Sequence, residues 1–447
     1  MQTFKLKKGL DLPVSGAPEQ KIHPGPEFGT VAVLGADYVG LKPRMIAQEG
    51  DSVQRGAPLF AHKDAPEAMM VAPMTGKVVA INRGARRVLQ SVVIEVTDPN
   101  DVGVDFSGVG DSTTAAGITE KLCAAGLWTS FRTRPYSKLP VPGTAPEAVF
   151  VTAMESEPLS PEAELIINDA PDDFATGLKA VSALTEGTTW LCQAPGAAIP
   201  GGDLPGVQVA SFEGPHPAGL AGTHIHFLHP LTASDMVWTI GYQDVIAIGR
   251  LMRTGHLDSN RVVALCGPAC RQPRLIRTTM GASLTDLTAH EVAVDKPVRV
   301  ISGSILSGLA AEGPFAYLSR YARQVTIIEE DREQIPMGWI RPMPSKYAVQ
   351  PVLGSALSGK LFNLTSNLNG GRRAMVPIGT FERLMPQDYL PTQLLRALLV
   401  MDTDTAQALG AMELDEEDLG LVGFACPAKY EYGLALRDSL TKIEKEG

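Results

Sequence analysis

The chain has few cysteines and no long apolar run. Its five cysteines are scattered through 447 residues, and only Cys266 and Cys270 lie close together in sequence. This pattern suits a reducing cytosol better than a disulfide framework, and two thiols alone do not complete a metal site. The longest charge-free apolar stretch near the middle, 300–311, is too short for a membrane-spanning helix, which needs about 20 residues. The sequence therefore predicts neither a disulfide scaffold nor a membrane span.

Basic charge is also scarce. The chain carries 39 Lys and Arg against 49 Asp and Glu, a formal net charge of −10. Nucleic-acid binding needs a basic surface, so this balance argues against a nucleic-acid partner. With 44% hydrophobic and 20% charged residues, the chain can bury substantial cores and is not disordered.

Nucleotide-binding and nucleophile motifs are missing as well. No G-x-G-x-x-G fingerprint follows a predicted strand: Gly35 and Gly40 lack the middle glycine, and Leu309 follows Gly308 where a P-loop would carry lysine. No serine lies in a motif typical of a nucleophile elbow. We therefore expect no catalytic centre that belongs to this chain alone.

Short strands, helices and glycine turns alternate along the chain, which predicts an α/β multidomain protein. The expected segments are an extended N-terminal arm (1–30), a barrel-sandwich hybrid (31–100), a Rossmann-like α/β domain (101–256), a β-grasp domain (257–330) and a C-terminal helical region (331–447). A compact apolar run at 148–153 and further segments at 188–193 and 207–212 predict strands of a parallel sheet, and a short helix is expected around 314–321.

Several helix features are predicted from charge and apolar spacing. Asp172 and Asp173 are expected to cap a helix. Residues 391–401 and 434–443 are expected to form apolar helices that can dock on a partner. An acidic run is interpreted as a solvated helix face, and its members are Glu413, Asp415, Glu416, Glu417 and Asp418.

The barrel-sandwich prediction depends on two related stretches, EGDSVQRGAPLF at 49–60 and APMTGKVVAI at 72–81. The pair resembles biotinyl and lipoyl carriers, which place a modified lysine on a hairpin between such halves. Lys63 is the only lysine there, and it lacks the flanking pattern of carriers. A β module used for assembly is therefore favoured over a swinging arm modified at Lys63.

The main candidate site is an aromatic and basic loop stiffened by Pro135. Aromatic faces can stack on a planar ring, and Arg or Lys can donate hydrogen bonds to its carbonyl oxygens, as a quinone would require. The alternative is an interface surface, because aromatics and Arg are enriched at protein contacts. The residues concerned are Trp128, Phe131, Arg132, Arg134, Tyr136 and Lys138.

His224 and His226 form a second candidate. Two positions apart on a strand, they would face the same side. Paired imidazoles can bind a metal, but no ligand flanks them at a recognised zinc spacing. We therefore predict a hydrogen-bonded structural pair, and no metal.

Six irregular segments span the chain almost from end to end. They are KKGLDLP at 7–13, GAPEQ at 16–20, SFRTRP at 130–135, GTHIHF at 222–227, GYQDV at 241–245 and CPAKYEYG at 426–433. With the order of modules, they resemble NqrA, the A subunit of the bacterial sodium-translocating NADH:quinone oxidoreductase. That family is similar in fold to the C subunit of the Rnf complex and to the flavin-binding subunit of respiratory complex I.

The chain also differs from the related redox subunits in two ways. Those related redox subunits carry clustered C-terminal cysteines for iron–sulfur centres, whereas this chain has only Cys426 there. Residues 126–139 stand where the related subunits carry a glycine-rich flavin loop, and bulky side chains replace the glycines that would let the backbone approach a phosphate. This chain is therefore expected to bind no flavin of its own.

The resemblance implies a peripheral subunit on the cytoplasmic face of the bacterial inner membrane. Its complex would pass electrons from NADH to ubiquinone and export sodium, with flavins and the iron–sulfur centre on partner subunits. This chain would serve assembly and help to shape the quinone site, beside the membrane subunit that carries it, with ubiquinone as its only expected small-molecule contact. The alternative is a stand-alone flavin-dependent NADH dehydrogenase.

Overall fold

The computed structural model describes residues 2–232, 234–337, 341–350, 354–357 and 359–446. Within these ranges, no helix combines the length and the apolar character that crossing a membrane requires. The first residues are extended and supply two strands, β1 (Gln2–Lys5) and β2 (Glu19–Pro24). These two strands belong to different sheets, so the arm connects two units of the fold.

Residues 30–98 form a β module of two small sheets. Its strands are β3 (Thr30–Leu34), β4 (Pro43–Met45), β5 (Ser52–Val53), β6 (Pro58–His62), β7 (Ala65–Val71), β8 (Thr75–Arg83) and β9 (Leu89–Asp98). One sheet has the order β3-β9-β8-β5 and the other the order β4-β6-β7. Val31, Phe60 and Ile94 from the two sheets share one buried cluster. Gly50 and Gly56 have positive φ in the turns that flank β5, which glycine adopts without steric cost.

A second unit alternates helices and strands. Its elements are α1 (Ala115–Ala124), β10 (Arg132–Arg134), β11 (Ala148–Ala153), α2 (Ala163–Asn168), α3 (Pro171–Ser182), β12 (Thr188–Gln193), β13 (Val207–Glu213), α4 (Ala221–Leu228), β14 (Val237–Gly241) and α5 (Tyr242–Thr254). The strand order is β1-β13-β12-β11-β14-β10, parallel except for β10 at the edge. The predicted strands at 148–153 and 188–193 are confirmed as β11 and β12. All of β11 is buried, as suits a parallel strand covered on both faces.

Helices α3 and α5 approach each other closely at two glycines. A Cβ atom on Gly177 would lie 1.9 Å from the carbonyl oxygen of Val245, and one on Gly249 would lie 1.7 Å from that of Asp173. Both distances are far inside van der Waals contact. The packing of α3 on α5 therefore requires glycine at both positions.

The predicted cap of α3 is wrong. Ala170 is the residue that precedes the helix, and no side chain caps it. Asp173 instead accepts hydrogen bonds from Arg250 Nε at 2.8 Å and Arg253 Nη1 at 2.6 Å. Asp172 lies in the exposed first turn, where a negative charge suits the helix dipole.

The third unit is a mixed sheet with the order β18-β17-β19-β15-β16-β2. Its further elements are β15 (Asn260–Cys266), β16 (Arg274–Thr279), α6 (Leu284–Thr288), β17 (Val298–Ser302), β18 (Leu309–Ala310) and β19 (Gln324–Glu329). The helix predicted around 314–321 is wrong, because only a single turn forms at Gly313–Phe315. Tyr317 is instead held in extended conformation by a bridge to Ser283.

The C-terminal region is helical around its own core. Its helices are α7 (Thr380–Leu384), α8 (Pro391–Val400), α9 (Thr403–Ala408), α10 (Gly420–Ala425) and α11 (Tyr432–Glu446). Leu394 and Leu398 of α8 and Leu436 and Leu440 of α11 are buried together. The apolar faces predicted as docking surfaces are therefore used inside the protein.

Gly249→Ala should destabilise the protein because the new methyl group overlaps the backbone of α3. We expect the free energy of unfolding to fall by about 1–3 kcal/mol, the cost of overpacking, even though alanine favours helix. Urea unfolding followed by circular dichroism measures the change. Gly108→Ala is the control, since nothing lies within 4 Å of a methyl group placed there. Equal midpoints for both variants would contradict this account of the helix pair.

Candidate functional site

The aromatic and basic loop, residues 126–139, follows α1. It crosses the edge of the sheet of the second unit, here called the central sheet. Gly126 starts it with φ +73°, a conformation that favours glycine. A single helical turn at Leu127–Ser130 leads into β10, which pairs with β14. The loop is therefore fixed to the sheet along part of its length.

The aromatic residues of this loop face inward. Trp128 and Phe131 are fully buried. Their ring centroids lie 5.4 Å from each other and from the ring of Trp238 in β14. The indole N–H of Trp128 donates to the carbonyl of Pro140 at 2.8 Å. Neither ring offers an exposed face, so the expectation that they stack on a quinone does not fit their position.

The basic residues attach the loop to the C-terminal region. Arg132 donates to Asp415 Oδ2 at 3.0 Å and to Glu417 Oε1 at 3.1 Å. Arg134, which is fully buried, donates to Asp415 Oδ2 at 3.1 Å. The interface alternative therefore describes these arginines better, with both sides of the interface inside one chain.

Asp415 is the centre of this contact. It also accepts hydrogen bonds from Ser137 Oγ at 2.7 Å and from Arg437 Nη2 at 3.0 Å. Burial alone would raise the pKa of Asp415, but Arg134 and the other arginines outweigh it and hold the pKa well below its usual range. A carboxylate with this many partners stays charged inside the protein.

The acidic run is consequently not a solvated helix face, and that prediction is wrong. Glu413, Asp415 and Asp418 are all buried. Burial raises the pKa of Asp418 to about 7, and that of Glu416 likewise to about 7. The run resembles surface charge in the sequence because two of its arginine partners, Arg132 and Arg134, lie 283 and 281 positions from Asp415.

The remaining two loop residues lie nearer the surface. The backbone carbonyl of Tyr136 accepts from Arg437 Nη1 at 2.6 Å, and its half-buried ring packs on the C-terminal core. Lys138 Nζ lies 2.6 Å from Glu444 of α11 in an exposed ion pair. Both contacts extend the attachment between the loop and α11.

His224 and His226 lie on α4, so the prediction of a strand with both on one side is wrong. Two residues apart on a helix, they point in nearly opposite directions. His224 is buried, its Nε2 lies 3.0 Å from the carbonyl of Ala218, and burial lowers its pKa to about 4. His226 Nδ1 lies 2.8 Å from Glu413 Oε2. Each imidazole has its own structural contact, and they do not form a pair.

One group of side chains in the described part of the chain could hold a metal ion. Glu147, His229 and Asp235 place ligand atoms within 4.8 Å of one another. They lie at the amino ends of β11 and β14, and Glu147 is exposed. This is the opposite end of the sheet from the first cleft described next.

The first cleft, here called the arginine cleft, lies at the carboxyl ends of β11 and β14. It encloses about 590 Å³ of space that is continuous with solvent. Thr152 and Gly241 mark the strand ends, and four arginines line it: Arg132, Arg261, Arg320 and Arg323. Their charges are balanced, for example by Asp244, which lies 2.5 Å from Arg261 and 2.6 Å from Arg320.

The second cleft, here called the apolar cleft, lies where the β module, the aromatic and basic loop and the third sheet meet. It encloses about 450 Å³ of space open to solvent. Its apolar walls are Met70, Val71, Leu127, Leu257, Met280 and Leu318, and its polar side chains are Asp37, Tyr38, Thr129 and Arg320. An apolar cleft with a few convergent polar groups is the usual form of a small-molecule site.

The polar side chains of the apolar cleft are tightly arranged. Arg320 donates to Asp244 at 2.6 Å and to Ser130 Oγ at 2.7 Å, and its backbone N–H donates to Asp37 at 2.9 Å. Burial raises the pKa of Asp37 to about 6. Burial also raises the pKa of Tyr38, so its hydroxyl stays protonated and can donate a hydrogen bond.

Sequence reasoning missed Asp37, Tyr38 and Arg320. These residues come from segments almost 300 positions apart, and only folding brings them to one cleft. The cluster of Arg320, Tyr321 and Arg323 is a local signal that could have marked one wall.

The fold and these clefts define a multidomain α/β protein whose candidate site lies between its units. Family models match most of the chain. The NqrA N-terminal barrel-sandwich hybrid domain matches residues 4–97, the NqrA second alpha/beta domain matches 113–257, and the NQRA C-terminal domain matches 262–313. The barrel-sandwich prediction is thereby confirmed.

Curated relatives match over almost the whole length. The chain is 50% identical to the A subunit of the Na(+)-translocating NADH-quinone reductase of Neisseria meningitidis, covering 99% of this chain and 100% of the relative. It is 51% identical to that of Serratia proteamaculans, with the same coverage, and 50% identical to that of Pasteurella multocida, covering 99% of each. The chain belongs to the NqrA family, the A subunits of Na(+)-translocating NADH-quinone reductases.

A solved NAD+-reducing [NiFe]-hydrogenase is also similar to part of the chain. The identity is 14%, the TM-score is 0.36, and the likeness covers 49% of this chain and 47% of the hydrogenase chain. A likeness at this level supports no functional argument.

Arg134→Ala should loosen the C-terminal region from the central sheet, because it takes a buried partner from Asp415. Breaking a buried ion pair costs about 3–5 kcal/mol, and hydrogen exchange should rise over 411–446. Lys138→Ala is the matched control, since an exposed pair contributes about 1 kcal/mol or less. The proposed role of Arg134 would be contradicted if both variants lost the same stability in thermal melts and showed the same hydrogen exchange over 411–446.

Proposed function

We propose that this chain is the peripheral NqrA component of a Na+-translocating NADH:quinone reductase, the complex that couples electron transfer from NADH to ubiquinone with sodium export. The 50% identity to subunits of that name over 99% of the chain carries the proposal. Its partners are the other subunits of the complex, in particular the membrane subunit that carries the quinone site. Its place is the cytoplasmic face of the bacterial inner membrane.

We further propose that the five segments expected from the sequence act as domains, the third with a Rossmann-like and the fourth with a β-grasp fold. The order β13-β12-β11-β14 supports the Rossmann-like assignment, because it follows the 3-2-1-4 order of doubly wound sheets. The mixed sheet with α6 supports the β-grasp assignment. A ligand of such a doubly wound sheet would bind outside the carboxyl ends of its strands.

The chain is proposed to hold no flavin, nucleotide or iron–sulfur centre of its own. At the position of a flavin loop, Trp128 and Phe131 fill the core. Asp415 and its arginines close the outer side of the loop. Flavins and the iron–sulfur centre would therefore reside on partner subunits, and this chain would serve assembly and the quinone site.

Ubiquinone contact is proposed at the apolar cleft, not at the rings of Trp128 and Phe131. A quinone head group is a planar apolar ring with two carbonyl oxygens, so it needs apolar walls and hydrogen-bond donors. The apolar cleft offers Met70, Leu257 and Leu318 as walls and the protonated Tyr38 hydroxyl as a donor. The aromatic and basic loop still contributes, through Leu127 and Thr129.

Tyr38→Phe tests the quinone proposal in the whole complex. Losing one hydrogen bond to a quinone oxygen costs about 1 kcal/mol, so the apparent KM for ubiquinone should rise roughly five- to tenfold. NADH oxidation by an artificial acceptor should be unchanged, because that half-reaction occurs on another subunit. Tyr430→Phe is the control, since its ring packs on the C-terminal core and lines neither cleft. An unchanged KM in Tyr38→Phe would remove this cleft from the quinone path.

Purified alone, the chain should show no flavin absorbance near 450 nm, since buried Trp128 and Phe131 occupy the segment that corresponds to the flavin loop of related subunits. A stoichiometric flavin band that survives gel filtration would favour the alternative of a stand-alone NADH dehydrogenase. Intact mass checks the carrier alternative in the same sample. Lys63 is exposed in the turn between β6 and β7, and an added lipoyl or biotinyl mass there would overturn the assembly role of the β module.

A further inference from the structure

The segment before α7 has an unusual charge pattern. From Gln334 to Phe381 the sequence contains no Asp or Glu, although the whole chain has 49 acidic residues. Five basic residues fall within the same stretch: Arg341, Lys346, Lys360, Arg372 and Arg373. A locally cationic surface on an anionic protein attracts partners of opposite charge.

Part of this segment forms an exposed loop, and all of its residues lie within the described ranges. Residues 368–379, here called the basic loop, have the sequence LNGGRRAMVPIG, and every residue except Met375 is exposed. Leu368, Val376 and Ile378 are 63%, 63% and 52% exposed. In the described part of the chain, neither Arg372 nor Arg373 takes part in an ion pair. Clustered aliphatic side chains beside unpaired cations are typical of an interaction site.

The basic loop is held at its base. Upstream, buried Phe362 donates its backbone N–H to the carbonyl of Pro13 at 2.8 Å. The backbone N–H of Arg373 donates to the carbonyl of Ala428 at 3.2 Å. Downstream, buried Thr380 starts α7 and accepts from Gln350 Nε2 at 2.8 Å. Tethering of this kind lowers the entropy cost of ordering a loop on a partner.

The other surfaces expected to dock are already occupied. The apolar faces of α8 and α11 lie in the C-terminal core, and residues 126–139 join two parts of this chain. The basic loop keeps its aliphatic side chains in solvent. It is therefore the stronger docking candidate among these surfaces.

The chemistry of the basic loop fits a protein better than a bilayer. The loop contains no Trp, Tyr or Phe, the residues that anchor proteins at the membrane interface. Its backbone is neither helix nor strand, and the polar groups of such a backbone would be left without partners in lipid. Another protein can supply both carboxylates for the arginines and hydrogen bonds for the backbone.

We propose that the basic loop docks on another component of the reductase, at an apolar groove edged by carboxylates. This inference rests on the proposed membership of the complex. Arg372 and Arg373 would pair with the carboxylates, while Leu368, Val376 and Ile378 would enter the groove.

The test is co-purification of this chain with the complex through a tag on a different component. Arg372→Glu/Arg373→Glu should lower retention of the chain roughly tenfold, because charge reversal at a docked site places like charges together. Val376→Asp should lower it through the apolar part of the contact. The matched control is Arg86→Glu/Arg87→Glu, an exposed arginine pair on the turn between β8 and β9, which should be retained like the unaltered chain.

Three results would overturn the proposal. They are full retention of both loop variants, equal loss of the control pair, and a lowered melting temperature of the isolated variant chain that accounts for the loss. A further arm uses vesicles containing phosphatidylglycerol: binding of the isolated chain that depends on Arg372 and Arg373, with retention in the complex unchanged, would assign the loop to lipid. Failure of the unaltered chain to co-purify would instead contradict the proposed function itself.

Discussion

The charge on Asp415 is the interaction on which the arrangement of the candidate site depends. A buried carboxylate is tolerated only when it is paired, and Asp415 has Arg132, Arg134 and Arg437 around it. Two of these arginines come from the edge of the central sheet and the third from α11. Satisfying one carboxylate therefore fixes the loop, the sheet edge and the C-terminal helices relative to one another.

Arg320 has the same role on the other side of the loop. It contacts Asp37 of the β module, Ser130 of the loop and Asp244 of α5, so one residue joins three units. The apolar cleft exists because these units meet without filling the space between them. Asp37 and Arg320 are consequently held in place by structural contacts.

Local sequence patterns correctly predicted those strands whose own residues carry the pattern. The segments 148–153 and 188–193 are rich in β-branched, aromatic and other apolar residues, which is why β11 and β12 were predicted to the residue. The acidic run was misinterpreted as solvated because Arg132 and Asp415 lie 283 positions apart, and no periodicity encodes such a pairing. The strand prediction for His224 and His226 was wrong for a different reason. Helix α4 is only eight residues long, too short for helical spacing to be distinguished from strand alternation.

The N-terminal arm has a consequence for the order of synthesis. β1 pairs with β13, and β2 pairs with β16, so the partner of each strand is made more than 200 residues later. On the ribosome, the β module can close first, while the arm stays extended with its backbone donors and acceptors unpaired. Unpaired edges of this kind invite contact with other chains. The arm is thus made before its partner strands and is among the last segments to be secured, and a nascent chain stopped before residue 274 would still expose β2.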